Sequence, residues 1–243
     1  MILSAHQPAY LPWLGYFHKI AISDKFVVLD EVQFEKNSFT NRNRIKTSNG
    51  ALWLSVPIKM NGHMDKTIKT MEIDNKYNWK DKHWKSIYLN YKKTQYFHHY
   101  SDFLEDVYKR EWSNLVDLTE YMNKFFLSEL RIKTKIYYQS NIETKEKKQE
   151  LIVELCKKLN CDTFVFGKLG RSYADRSYFG KNNINIYFQE YNHPTYNQAW
   201  DDFIPNIAII DLLFNVSKDE ALDIITRENI NKKTLYKLFQ GGV

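Results

Sequence analysis

The chain has 243 residues, enough to bury one large core or a core with an appended lobe. Aromatics make up 16% of it, with 17 Tyr, 15 Phe and 6 Trp, which excludes a disordered chain, and no stretch approaches the roughly twenty apolar residues of a membrane-spanning helix. A formal charge of +6 suits nucleic acid, an anionic surface or phosphorylated small molecules; because lysine is scattered along the chain, a merely solubilising surface is the alternative.

Met1-Ile2-Leu3 has neither the basic region nor the apolar run of a signal peptide, so a soluble, cytoplasmic protein is expected. Ile2-Leu3-Ser4-Ala5 predicts a buried strand that breaks at His6-Gln7-Pro8-Ala9-Tyr10-Leu11-Pro12-Trp13. Leu14 to Ser23 reads as a helix and Phe26-Val27-Val28-Leu29 as a second strand, the βαβ pattern of a parallel sheet. Ligands of such sheets sit outside the carboxyl ends of the strands, and His6 and Asp30 each follow one. A polar arm, Asn37 to Arg44, comes next. Ala51 to Ile58 alternates with Leu52, Leu54, Val56 and Ile58 on one face, a half-buried strand that Pro57 places at an edge. Lys66 to Ile73 is expected to return as its hairpin partner.

From Asn78 to about Leu130 the pattern turns helical. Trp79, His83, Ile87 and Tyr91 share a face. A second helix is expected near Asp102 to Lys109, after an aromatic elbow at Tyr96 to Tyr100. A third, capped by Ser113 or Asn114, buries Leu115, Leu118, Met122, Phe125 and Phe126. The adjacent His98 and His99 diverge in direction, so no metal site is assigned. Ile132–Tyr138, Thr163–Phe166 and Ile184–Phe188 follow as strands, and Thr144–Leu159 as a helix. Ile207–Phe214 and Ser217–Thr226 are the last two helices expected. Cys156 and Cys161 match no zinc spacing and read as packing residues.

Some residues carry chemistry by type and spacing. Arg42 and Arg44, two apart in an extended arm, point the same way and suit a phosphate or carboxylate; an exposed salt-bridged loop is the alternative. Gly167-Lys168-Leu169-Gly170-Arg171-Ser172 offers backbone N–H groups and cations to a phosphate but lacks Walker spacing. His193, between Tyr191 and Tyr196, is of a type to act as a general base near neutral pH, or to hold a turn through a ring nitrogen. Asp211 is the lone carboxylate of an apolar helix and cannot be buried unpaired. It must meet a cation or several donors, and an arginine or His193 is the expected partner.

His6-Gln7-Pro8, Tyr10-Leu11-Pro12-Trp13, Gly15-Tyr16-Phe17, the strand ending at Asp30, Gln33 and Asn41-Arg42-Asn43-Arg44-Ile45 resemble the opening of the WbqC-like family. Its distal motifs are matched by Tyr191 to Tyr196, Gln198, Phe203-Ile204-Pro205-Asn206 and Ile209 to Asn215. Two positions depart from the pattern: Phe166-Gly167 stands where Ser-Gly is usual, and Asn215-Val216-Ser217 where glycine follows. The resemblance implies a bacterial gene for O-antigen or related surface polysaccharides, with a suggested glycine transferase role acylating an amino sugar. It also carries Gln7, Tyr10, Gln33, Tyr196 and Gln198 into the site as substrate contacts. The first βαβ unit further resembles nucleotidylyltransferase-type Rossmann folds, where such histidines, here His6 and His18, contact nucleotide phosphates. His6 tying down the Pro8 and Pro12 turn is the alternative.

The expectation is one α/β domain, a mostly parallel, Rossmann-like (nucleotidylyltransferase-like) sheet with a helical insertion at about 78–130. His6, His193 and Asp211 are the catalytic candidates. Gln7, Tyr10, His18, Asp30, Gln33, Arg42, Arg44, Lys168, Arg171, Tyr196 and Gln198 are the substrate or nucleotide contacts. The expected reaction is aminoacyl transfer to an amino sugar or sugar nucleotide. The donor is left open among an ATP-derived adenylate, a carrier thioester and an aminoacyl-tRNA, and ATP is the one cofactor considered. The rivals are a nucleotidylyltransferase acting on a sugar phosphate and a non-catalytic nucleic-acid or sugar-nucleotide binding module.

Overall fold

The first strand has both faces covered, and the sheet builds outward from it. In the computed structural model, which describes residues 1–240, the chain runs β1 (Ile2–His6), α1 (Leu14–Ala21), β2 (Lys25–Val28), β3 (Arg42–Thr47) and β4 (Gly50–Ser55). It continues through α2 (Trp79–Tyr91), α3 (Phe97–Lys109), α4 (Leu115–Glu129), β5 (Lys135–Tyr138), α5 (Lys148–Lys158), β6 (Thr163–Phe166) and α6 (Arg176–Lys181). β7 (Asn185–Phe188), α7 (Ile209–Asn215), α8 (Lys218–Thr226) and α9 (Lys232–Gln240) complete it. The central sheet is all parallel, in the order β5-β2-β1-β6-β7. β3 and β4 form a separate antiparallel hairpin.

Alternation sorts the β1 side chains between two layers. Leu3 and Ala5 join Leu151, Leu155, Phe166 and Phe179 in one core. Ser4 and His6 face α1 instead: Ser4 Oγ donates to Lys19 O, and the His6 ring lies against Tyr16. The chain leaves β1 toward β2 and β5, then returns to β6 and β7 on the other side. Winding therefore reverses between β1 and β6, the crevice where open α/β sheets take ligands.

The hairpin and α2–α4 lie between β2 and β5 and share the large α1-side core with α7 and α8. Four expectations need correcting. The hairpin is made by the polar arm itself, with Arg44 opposite Trp53; Asn43 turns inward and donates to Leu11 O, so the strand needs no apolar alternation to be anchored. The segment 66–73 meets its supposed partner only at the Ile58–Ile73 bridge, because a 3-10 turn at Ile68–Thr70 breaks it, and Leu52 is exposed. Helix α3 begins at Phe97, so the aromatic elbow is its first turn. Finally, α9 follows the helix expected to be last.

Candidate functional site

At the reversal of winding, the carboxyl end of β1 presents His6 and the following loop presents Gln7. The His6 ring is wedged edge-on between Trp13 and Tyr16, with centroids 5.4 and 5.3 Å away. His6 Nδ1 donates to Gln7 O at 2.9 Å, which leaves Nε2 as the acceptor. Burial, reinforced by the Lys19 ammonium and opposed by the Gln7 carbonyl, lowers the imidazole to about 3, so it is neutral at physiological pH.

Lys19 is the residue that the sequence reading missed. It reaches from α1 to the end of β1, is only 3% exposed, and donates from Nζ to Ala5 O at 3.0 Å. A methyl group on Gly167, where β6 ends, would come within 3.9 Å of Nζ. The lysine therefore sits under both central strand ends. Burial lowers it to about 7, a value that makes an amine an effective base at neutral pH. Leu14 to Ile20 are all buried, and in a helix so enclosed a lysine has no solvent face to reach. That enclosure was the one available signal.

Two further clusters border the crevice. Trp13 passes contact outward to Phe39 and from there to Trp53, with centroids 5.1 and 6.0 Å apart. The guanidinium carbons of Arg42 and Arg44 lie 4.5 and 5.5 Å from the Trp53 ring. Inward, a methyl on Gly15 would stand 3.0 Å from both Trp13 and Tyr191, and Tyr191 adjoins His193. His193 Nδ1 donates to Pro194 O at 2.9 Å. Its Nε2 is buried without a partner among the described residues, and burial lowers its pKa against the pull of the Pro194 carbonyl and Glu228.

Asp211 is fully buried, and neither an arginine nor His193 pairs with it. Tyr91 and Tyr196 hydroxyls donate to its two oxygens, each at 2.9 Å, and the Lys46 backbone N–H donates to the Tyr91 hydroxyl. Burial raises the carboxyl to about 6, with the tyrosines, Lys46 and Gln198 pulling it back. Gln198 itself braces its loop through two bonds to the backbone of Ile204.

The remaining candidates divide by position. Gln7 lies beside His6 and accepts from Thr40 Oγ1. Tyr10 points into the helical layer, bonded to His83 and Tyr108. His18 has no free ring nitrogen for a phosphate: Nε2 donates to Ile230 O, and Nδ1 accepts from Gln189. Asp30 is buried and accepts from the Ser140 N–H. Together with Gln33, Ser140 lines a groove of about 710 Å³ at the β2 and β5 ends. Lys168 is exposed, whereas Arg171 is paired with Glu190 and stacked on Phe188. A separate cavity of about 110 Å³ is lined by Pro8, Tyr16, Val28, Thr119, Asn123 and Tyr138.

Comparison with known proteins adds a family. The model of the WbqC-like protein family matches residues 7–222. The uncharacterized protein Rv1507c of Mycobacterium tuberculosis is 34% identical over 215 residues, which cover 88% of this chain and 93% of that one. No solved structure matches. The family match takes in the strand-end loop, the hairpin and the distal histidine segment alike, and the chain belongs to the WbqC-like protein family.

Proposed function

We propose that the protein is an aminoacyl transferase that places a small acyl group, glycyl in the first instance, on the amine of an amino sugar in a surface-polysaccharide precursor. Family membership suggests the polysaccharide setting. The observation that supports the chemistry is the pairing of Lys19 with His6 at the reversal of winding. The sugar amine must lose a proton as its nitrogen bonds to the acyl carbon and the bond to the activating group breaks. Lys19 Nζ, partly un-ionised near neutral pH, receives that proton. Neutral His6 offers Nε2 as an acceptor that orients the amine. The activating group departs with its electron pair. The cavity beside Tyr16 is small and largely apolar, which suits a compact acyl group.

The test supplies a nucleotide-linked amino sugar with glycine and ATP, a glycyl thioester or glycyl-tRNA, and reads acylated sugar by mass spectrometry. Lys19→Met should lower kcat by about 10²–10⁴-fold and remove the limb that rises through about pH 7, while sugar binding persists. No acylated sugar from any donor overturns the reading. Full activity in Lys19→Met moves the base to His193, and His193→Gln should then carry the loss.

A further inference from the structure

The outer face of the β3–β4 hairpin has features that acyl transfer does not itself require. Arg42, Arg44 and Trp53 share that face through the strand register. Trp53 is 44% exposed and Phe39 37%, an unusual amount of aromatic surface to leave in water. Among the described residues no carboxylate neutralises either guanidinium: Arg42 donates to the side chain and carbonyl of Asn37, and Arg44 to Asn206 O at 3.5 Å. Both Nε atoms are buried without a partner among the described residues. Cations laid over indole form a surface for a ligand that brings both π-faces and phosphates.

The row has a direction. Trp53 touches Phe39, Phe39 touches Trp13, and Trp13 touches His6, with ring centroids 6.0, 5.1 and 5.4 Å apart. A sugar nucleotide has one base to stack and would leave most of the row uncovered. A single strand of nucleic acid brings a base and a phosphate at every step. A strand laid along the rings with its 3′ end inward would bring that end to His6.

We infer that this face binds the single-stranded acceptor end of an RNA, so that the acyl donor is an aminoacyl-tRNA whose 3′ ester is delivered to the β1 crevice. This rests on the transferase reading above. The sugar amine forms the new bond to the acyl carbon, the ester C–O bond breaks, and the departing 3′ oxygen takes from Lys19 Nζ the proton that the amine gave up, so no nucleotide need be hydrolysed in the step.

The experiment measures binding of a fluorescent RNA oligonucleotide ending in CCA-3′, and of the same sequence as a duplex, to the full chain across a salt series. Sugar acylation from glycyl-tRNA is followed in parallel. Wild type should prefer the single strand. Trp53→Ala, a change at an exposed side chain, should weaken binding about tenfold. Each of Arg42→Ala and Arg44→Ala should flatten the slope of log affinity against log salt by about 0.7, with circular dichroism unchanged. Equal affinity in wild type and all three variants overturns the surface. Acylation from glycine and ATP without tRNA overturns the donor and leaves the transferase reading standing. Variant-sensitive RNA binding with no acylation from any donor keeps the surface and removes the transferase reading.

Discussion

Lys19 is held at a cost that its bond to the β1 backbone does not offset. Its ammonium has three donors and, among the described residues, a single bond, to Ala5 O, in surroundings that lower it to about 7. A group depressed in this way has its full stability above the unfolded value near 10.5 and loses it as pH falls through about 7. Lys19→Met, close in volume and without charge, should therefore stabilise the protein at pH 7 by about 1–4 kcal/mol. The advantage should shrink in urea titrations as pH rises from 7 toward 10.5. A destabilised Lys19→Met would instead make the ammonium structural and weaken its assignment as a base. Asp211 teaches the complementary lesson. Its need for partners was legible from an apolar helix with one carboxylate, but their identity was not. Tyr91 and Tyr196 lie far away in sequence or in a loop, and nothing in the spacing brings their hydroxyls together.

Among the elements, α1 carries the heaviest load, because it meets the sheet on one side and the Tyr191 segment on the other. Gly15 makes that double contact possible: a Cβ there would lie 3.0 Å from Trp13 Nε1 and from Tyr191 Cδ1. In an exposed helix Gly→Ala gains about 1 kcal/mol. Here overpacking of two large rings should outweigh that gain, and Gly15→Ala should destabilise the protein by roughly 1–3 kcal/mol. It should also shift Trp13, seen as altered tryptophan fluorescence, and lower acyl transfer. An unchanged midpoint would show that the rings can part freely. The parallel strands were legible because each is a short apolar run bounded by polar or glycine breaks, as in Thr163-Phe164-Val165-Phe166-Gly167. The β3 strand was legible only as an extended arm; its pairing with β4 was not, since it is anchored by Asn43 and Ile45 packing inward, a tertiary cause with no local pattern.

At the scale of the whole molecule, the site loop is tied to the helical insertion by a buried polar chain. The Tyr10 hydroxyl meets His83 Nδ1 at 2.8 Å and the Tyr108 hydroxyl at 2.5 Å, joining the loop after β1 to α2 and α3. Burial lowers His83 to about 4 despite its bond to the Ser55 backbone. His6, lowered to about 3, and His18 and His193, lowered by the same cause, add to it. Such imidazoles give their full stability above the unfolded value near 6.5 and lose it as pH falls through the folded values. Asp211 works the other way, since a carboxyl raised to about 6 gives stability below its ordinary value and loses it as pH rises. Four imidazoles outweigh one carboxyl, so the unfolding free energy should fall between pH 6.5 and 4, with His83 supplying on the order of 3 kcal/mol of the loss. His83→Gln keeps a hydrogen-bonding partner for Tyr10 but cannot take up a proton. It should cost a little stability at pH 7 and flatten the acid slope by roughly that share, read from urea midpoints at pH 7, 5.5 and 4.5. An unchanged slope would mean that protonation of His83 is not what opens the junction between the β1 loop and the insertion, and would leave His6 and its neighbours at the crevice as the groups that set acid sensitivity.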